Sequence, residues 1–292
     1  MTEPNLSIIL PAKNEAASLD ELAPKLRRAY PDVEILLIDD GSTDTTAATA
    51  RAAGLHVHSH PYSMGNGAAI KSGARIASGE LLVFMDADGQ HNPDDIAKLR
   101  VLLDQGYDMV IGSRTDSDSH ANASRFLANH LYNTIASWMV DRPIPDLTSG
   151  FRLVHADRFR EFLHLLPNGF SYPTTITMAF FRAGYTVGYQ PIRVAKRIGK
   201  SHIRPIRDGI RFLIIIFKIA TLYSPLKIFL PISLVLFVLG LVRYIYTFIA
   251  SGSFTNMSAL LFTSAIIVFL IGLVSEQITQ LTYQPADQVN RS

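Results

Sequence analysis

The chain has 292 residues, with 27 Lys or Arg against 25 Asp or Glu, and it contains no cysteine. Near-balanced charge argues against a general nucleic-acid binder, which carries a large basic excess. The missing cysteine excludes disulfides, thiolate zinc sites and cysteine nucleophiles. The N-terminal stretch MTEPNLSIILPAKNEA has no basic n-region, so no secretory signal is expected and the first domain should stay in the cytoplasm.

From Leu6 to about Ser113, short apolar runs alternate with longer amphipathic ones. The runs Leu6–Leu10, Val33–Ile38, Leu55–His58, Leu81–Met85 and Met109–Ile111 have the length of buried strands. Helices are predicted over Ala16–Ala29, Thr43–Ala53, Ala68–Ala77 and Asp94–Leu103, the last opened by Asn92-Pro93. This alternation predicts an α/β fold with a mostly parallel sheet flanked by helices, and ligands of such sheets sit beyond the carboxyl ends of the strands. After Gly112 come a polar loop (Thr115–Asn122), a helix (Arg125–Val140) carrying Trp138 as a core residue, the strand-like DLTSGFRL, a helix near Thr174–Ala183 and a strand near Thr186–Ile192.

The C-terminal third changes class. Ile228–Val242, resuming after Arg243 through Ile249, and Met257–Val274 are long enough to cross a bilayer, and a membrane hairpin is favoured over buried core helices. Eight Lys and Arg from Lys196 to Lys227 precede the first span, whereas Ser251–Asn256 has none, so both termini are expected on the cytoplasmic side. Asp208–Tyr223 mixes cations with Phe and Ile and is too short to span. It reads as an amphipathic helix in the interface. The expected organisation is a catalytic domain over 1–204, the interfacial helix over 205–225, the hairpin over 226–281 and a tail over 282–292.

Three segments carry chemistry. IDDGSTDTT puts Asp39 and Asp40 at a strand end, where they could hydrogen-bond a nucleoside, while Ser42 or Thr43 would cap the next helix. VFMDADGQH puts Asp86 and Asp88 on one side of a strand end. A hard divalent ion, Mg²⁺ or Mn²⁺, takes one or two carboxylates plus phosphate oxygens and water, and a turn at Gly89 would let Gln90 reach it. MGNGAAIKSGA could receive phosphate at a helix N-terminus with Gly67 and Lys71, or its glycines could serve close helix–sheet packing. His56, His58 and His60 alternate along what reads as a partly exposed strand, with no metal site expected there. His91, next to Gln90, is a candidate to support the metal ligands.

Together PAKNEA, IDDGSTD, GNGAA, DADGQ, GSR and DLTSGFR resemble the glycosyltransferase family 2 pattern, in particular the dolichyl-phosphate mannose synthase type and bacterial relatives that use undecaprenyl phosphate. The resemblance implies a GT-A nucleotide-sugar domain. It implies that Pro11, Asn14, Glu15, Asp39 and Asp40 frame the nucleotide, that Asp86, Asp88 and Gln90 hold the metal, that Arg114, Arg125 and Arg152 lie near the acceptor phosphate, and that Asp146 stands beside the reacting centre. KRIGKSHIRP is similar to the family's basic closing motif, with Arg197, Lys200 and Ser201 as phosphate contacts, although His202 follows Ser201 where a Lys is usual. The implied reaction is inverting transfer from a nucleotide diphosphate sugar, a UDP-sugar ahead of GDP-mannose, to a polyprenyl phosphate at a membrane. A homo-oligomer is compatible with it. A processive polysaccharide synthase would show QxxRW and a nucleotidyltransferase GxGTR near residue 10, and neither is present. A non-catalytic membrane adaptor that kept the fold is the remaining rival.

Overall fold

The computed structural model describes residues 5–114, 123–169, 172–195, 221 and 223–282, with the side chains of 123–130 and 282 excepted. The chain forms two compact units, Met1–Ile203 and Arg204–Ser292. In the first, the order is β1 (Leu6–Ala12), α1 (Ala16–Ala29), β2 (Glu34–Asp39), α2 (Thr46–Ala52), β3 (His56–Ser59), α3 (Asn66–Ile76), β4 (Leu81–Phe84), α4 (Asp95–Leu103), β5 (Met109–Arg114), α5 (Ala123–Val140), β6 (Arg152–His155), α6 (Ala156–Glu161), α7 (Tyr172–Arg182) and β7 (Val187–Ile192).

The seven strands lie in the order β3-β2-β1-β4-β6-β5-β7. All pairings are parallel except those of β6, which runs antiparallel between β4 and β5. Alternation within each strand divides the core. Ile8, Leu10, Leu37, Val83, Val110 and Leu153 face α1 and α4, whose Leu19, Leu22, Leu26 and Ile96, Leu99, Leu103 recur at helical spacing. On the opposite face Gly73 of α3 lies so close to Ile9 that a Cβ would overlap it. Phe84 there packs on Phe159 of α6 at 4.5 Å between ring centroids. The order of strand addition reverses between the parallel neighbours β1 and β4, which places the crevice for a ligand at their carboxyl ends.

Two readings from the sequence change here. Trp138, expected in the core, is half exposed on α5, where Tyr132, Ala136 and Met139 form the buried face instead. Ser42 and Thr43 do not cap α2, which starts only at Thr46, because both engage Asn14 of the neighbouring loop.

The second unit contains α8 (Pro225–Ser251) and α9 (Asn256–Thr282). Each has 27 residues, about 40 Å of helix against a hydrocarbon core of roughly 30 Å. Gly252, in the left-handed region at φ 62°, ends α8. The two helices form an antiparallel pair through small residues spaced by seven: Ser233, Gly240 and Thr247 on α8, and Ser258, Ala265, Gly272 and Thr279 on α9, all buried. The Ser233 hydroxyl donates to Ala265 O at 2.8 Å. A Cβ on Gly240 would stand 3.2 Å from Leu261 Cβ. Large apolar side chains such as Leu234, Val238, Ile245, Leu260, Ile267 and Val274 point outward. Two apolar helices joined this way are consistent with membrane insertion. The proposed interfacial helix lies outside the described residues apart from its end.

Candidate active site

The β1–α1 loop and the β2–α2 turn are fastened to each other. Asn14, at φ 56°, donates its N–H to Ser42 Oγ (2.9 Å) and accepts Thr43 N–H on Oδ1 (2.8 Å). Glu15 N–H donates to Thr46 Oγ1 at 2.9 Å. Pro11 is buried at the end of β1, in register with Ile38. Among the described residues the Asp39 carboxylate receives one hydrogen bond, from Ser42 N–H to Oδ1 at 2.9 Å. Asp40 differs. It accepts His60 Nδ1 (2.9 Å), Ser63 Oγ (2.8 Å), Met64 N–H (2.7 Å) and Gly65 N–H (2.9 Å). Burial alone would raise its pKa, but these donors outweigh burial and hold it at about 2. With four donors its lone pairs are filled, so the expectation that Asp40 contacts a nucleoside is corrected: it organises the 60–65 turn. His60, expected on an exposed strand face, is buried between Asp40 and Ser72 Oγ (2.9 Å), while His56 and His58 are exposed.

The glycine-rich segment is also reassigned. The first free N–H groups of α3 meet the chain's own carbonyls: Gly67 N–H donates to Gly169 O (3.3 Å) and Ala68 N–H to Asn168 O (3.1 Å). A Cβ on Gly67 would overlap Pro167 O. Lys71 Nζ bonds Leu166 O at 3.1 Å and the Asn168 side chain. The N-terminus that was a candidate phosphate site is filled by residues 166–169, so Gly67 and Lys71 are packing and tethering residues. The partners lie about a hundred residues away in sequence, which hid them.

Asp86 and Asp88 follow β4 directly. Asp88 is largely buried and accepts Gln90 N–H on Oδ1 at 3.1 Å. Gly89 takes φ 73°, as the turn requires. Gln90 Nε2 donates to Ala195 O (3.1 Å), and Ala195 N–H donates to Gln90 O (2.9 Å), so Gln90 ties the segment after β7 to this loop. Gly150 closes the other side, since a Cβ there would stand 3.0 Å from Asp86 Oδ2. Among the described residues no three His, Cys, Asp or Glu side chains converge on one point. Two carboxylates in one loop fit a hard divalent ion that takes its other ligands from phosphate and water. His91 stacks on Phe151, 4.9 Å between centroids at 17°. Burial pushes its pKa down to about 4, so the ring is neutral near pH 7.

Across from the acids, Arg114 at the end of β5 makes a two-pronged pair with Asp146: Nε to Oδ2 at 2.8 Å and Nη2 to Oδ1 at 2.9 Å. Nη2 also donates to Thr148 Oγ1 at 2.6 Å. Asp146 further accepts Thr148 N–H and Ser149 N–H, both at 3.1 Å. Burial would raise the Asp146 pKa, but Arg114 and the amides lower it overall. The Arg114 pKa is raised, first by its bond to Asp146, with Asp86 among the charges that act on it. Arg152 is acted on by the same two acids from within the core, but Arg114 is the partly exposed one and is bonded directly to the DLTSG turn. The run of Asp, Thr and Ser in DLTSG is the sequence pattern of a side-chain-capped turn, and it could have pointed to Asp146 as Arg114's support.

Arg152 is corrected. The resemblance put it near the acceptor phosphate, but its side chain is 0% exposed. Because β6 is antiparallel, Arg152 sits in register with Phe84 and Ile111. Its guanidinium reaches Pro173 O (3.1 Å), Thr177 Oγ1 (3.2 Å) and Ser149 O beneath the sheet face covered by α7. Arg125 is placed on α5 but its side chain lies outside the described residues, as do Arg197, Lys200 and Ser201 entirely.

Residues 7–163 match Glycosyl transferase family 2, and residues 224–281 match the GtrB C-terminal hairpin. Polyprenol monophosphomannose synthase of Mycolicibacterium smegmatis is 30% identical over 208 residues, 65% of this chain and 77% of that protein. Undecaprenyl-phosphate 4-deoxy-4-formamido-L-arabinose transferase of Salmonella paratyphi B is 35% identical over 150 residues, 47% of this chain and 46% of that protein, so this chain spans less than half of that relative. Glucosyl-3-phosphoglycerate synthase of Mycobacterium tuberculosis, solved with Mn²⁺, UDP and glucosyl-3-phosphoglycerate, has a TM-score of 0.59 at 21% identity over 74% of this chain and 78% of that one, which shows a shared GT-A fold. The family match covers more than half of the sequence, and the chain belongs to glycosyl transferase family 2.

Proposed function

We propose that the chain transfers a sugar from a nucleotide diphosphate sugar to the phosphate of a polyprenyl lipid at a membrane. The observation that carries this reading is Arg114, held two-pronged by Asp146 at the carboxyl end of β5: a fixed cation at the same edge of the sheet as the acids after β4, where a diphosphate would leave. The names of the mycobacterial and Salmonella relatives and the hairpin match support the same acceptor class. The donor is read as a UDP-sugar ahead of GDP-mannose.

Asp86, Asp88 and Gln90 would hold Mg²⁺ or Mn²⁺, which when bound supplies positive charge to the diphosphate leaving group. Asp39 would accept a hydrogen bond from the nucleoside. A phosphate monoester has a second pKa of about 6, so near neutral pH the acceptor oxygen is already an anionic nucleophile. No strong base is needed, and a carboxyl of lowered pKa such as Asp146 would make a poor one. Its role is to hold Arg114, which orients the acceptor and offsets repulsion between two phosphates. Displacement by one nucleophile in one step inverts the anomeric centre. Lys227 near the start of α8 and the cation-free 251–256 connection favour both termini on the cytoplasmic side.

The test is incubation of membranes containing the full chain with labelled UDP- and GDP-sugars and undecaprenyl phosphate, followed by lipid extraction. Metal-dependent label in the lipid phase with inverted configuration is expected. No transfer from any nucleotide sugar, with the protein folded and metal present, would leave the adaptor reading.

A further inference from the structure

The 60–65 turn is held more firmly than a surface turn requires. Besides the four hydrogen bonds to Asp40, Lys13 Nζ donates to Ser63 Oγ at 2.8 Å, which links the turn to the β1–α1 loop. His60 N–H donates to Asp39 O at 2.8 Å. The His60 ring joins Asp40 to Ser72 of α3. Gly41 passes directly beneath, with room for no side chain: a Cβ would stand 2.8 Å from Ser63 N and from Tyr62 C. What this turn presents outward is Tyr62, 67% exposed, and Met64, 39% exposed. Among the described residues the Tyr62 hydroxyl makes no hydrogen bond.

The turn follows β3, at the carboxyl edge of the sheet, on the far side of β1 and β2 from the Asp86–Asp88 loop after β4. Three strand spacings separate β4 from β3, about 14 Å. An extended nucleoside diphosphate covers such a span. With its diphosphate at Asp86 and Asp88 and its ribose over β1 near Asp39, its base arrives at the end of β2 and β3. An aromatic ring on a rigid support, with one face open, is what a base stacks on, and stacking tolerates any base because each has a π-face.

We propose that Tyr62 is the stacking platform for the donor nucleobase and that Asp40 is the positioning residue that holds it there. The proposal rests on the nucleotide-sugar reading above. It adds an affinity-bearing contact at the base, separate from the metal and phosphate contacts.

The experiment is calorimetric titration of the full chain in detergent micelles with UDP, GDP or pyrophosphate, each with Mn²⁺. Tyr62→Ala is expected to weaken UDP binding by about 5- to 150-fold, the range for loss of one base–aromatic stack, and to change pyrophosphate binding by less than about twofold. Tyr62→Phe keeps the ring and should hold UDP affinity close to wild type. Because Tyr62 is exposed, neither variant threatens folding. Asp40→Asn should mimic Tyr62→Ala for UDP, yet cost little more when introduced into Tyr62→Ala; if it fails to fold, the two Tyr62 variants still decide. Unchanged UDP affinity in Tyr62→Ala, or equal losses of UDP and pyrophosphate, overturns the platform alone. Wild-type protein that binds neither UDP nor GDP with Mn²⁺ overturns the donor reading, and the platform with it.

Discussion

Replacing Asp146 by Asn tests whether this carboxylate acts through Arg114 or on the substrate. The substitution keeps the shape but exchanges one acceptor oxygen for an NH₂ group, which must face Arg114 or the Thr148 and Ser149 amides donor to donor. Hydrogen bonds to charged groups contribute ~1.5–3 kcal/mol each, but the Arg114 side chain is 42% exposed, so solvent screening reduces the stability loss to about 1–2 kcal/mol. That corresponds to a fall in Tm of roughly 2–8 °C for a domain of this size. Transfer should suffer more, by about 10²–10³-fold in kcat, because a mispointed guanidinium no longer meets developing charge. The assay is a double-mutant cycle with Arg114→Ala, reading kcat/KM for lipid transfer. If Asp146 works by holding Arg114, adding Asp146→Asn to Arg114→Ala costs less than about threefold more. Fully additive losses would refute the positioning role. The pH dependence of stability gives a second reading. The Asp146 pKa is lowered on folding, so its contribution is whole above the ordinary carboxyl pKa of about 4 and is lost as pH falls through the lower folded value. Asp146→Asn should therefore flatten the acid limb of the stability curve and leave the neutral region parallel.

Asp88→Asn should abolish metal-dependent donor binding while Tm stays within a few degrees, and turnover by wild-type protein in excess chelator would contradict the assignment. Gly67→Ala drives a methyl into Pro167 O and should destabilise the catalytic unit by about 1–3 kcal/mol. Once folded it should bind UDP with Mn²⁺ as wild type does, and a selective loss of donor affinity at unchanged Tm would restore the phosphate role. Gly240→Leu forces α8 away from Leu261 and Phe262 and should lower the thermal stability of the hairpin in micelles, whereas Val238→Leu on the outward face should not; equal effects would argue against packing by small residues.

The sheet was legible in the sequence because its strands are continuous apolar runs punctuated by acids and glycines at their carboxyl ends. The DADGQ motif was legible for the same reason. The antiparallel β6 was not, since a four-residue strand whose first three residues are buried shows no alternation and RLVH gives no direction. Arg152 misled because its motif names a cation but not a face, and only the register with Phe84 and Ile111 turns it inward. Gly67 and Lys71 misled because a glycine-rich helix start looks the same whether phosphate or the carbonyls of Asn168 and Gly169 meet it. The hairpin was legible in hydropathy, but its pairing lay in a quieter signal, the spacing of seven between Ser233, Gly240 and Thr247.

The acids of the site separate by how many donors each already has. A carboxylate offers about four lone-pair positions. Asp40 accepts from four groups, and Asp146 from three groups of Arg114, two of Thr148 and one of Ser149. Asp39 accepts one hydrogen bond among the described residues. A carboxylate engaged by so many donors is committed to its partners, so Asp40 sets the 60–65 turn at the proposed donor end and Asp146 sets Arg114 at the proposed acceptor end. Substituting either would mimic loss of a substrate contact in a simple activity screen. The difference lies in whether the loss persists once the partner is already gone, because an acid that touches substrate acts without Arg114 or Tyr62, and one that organises does not.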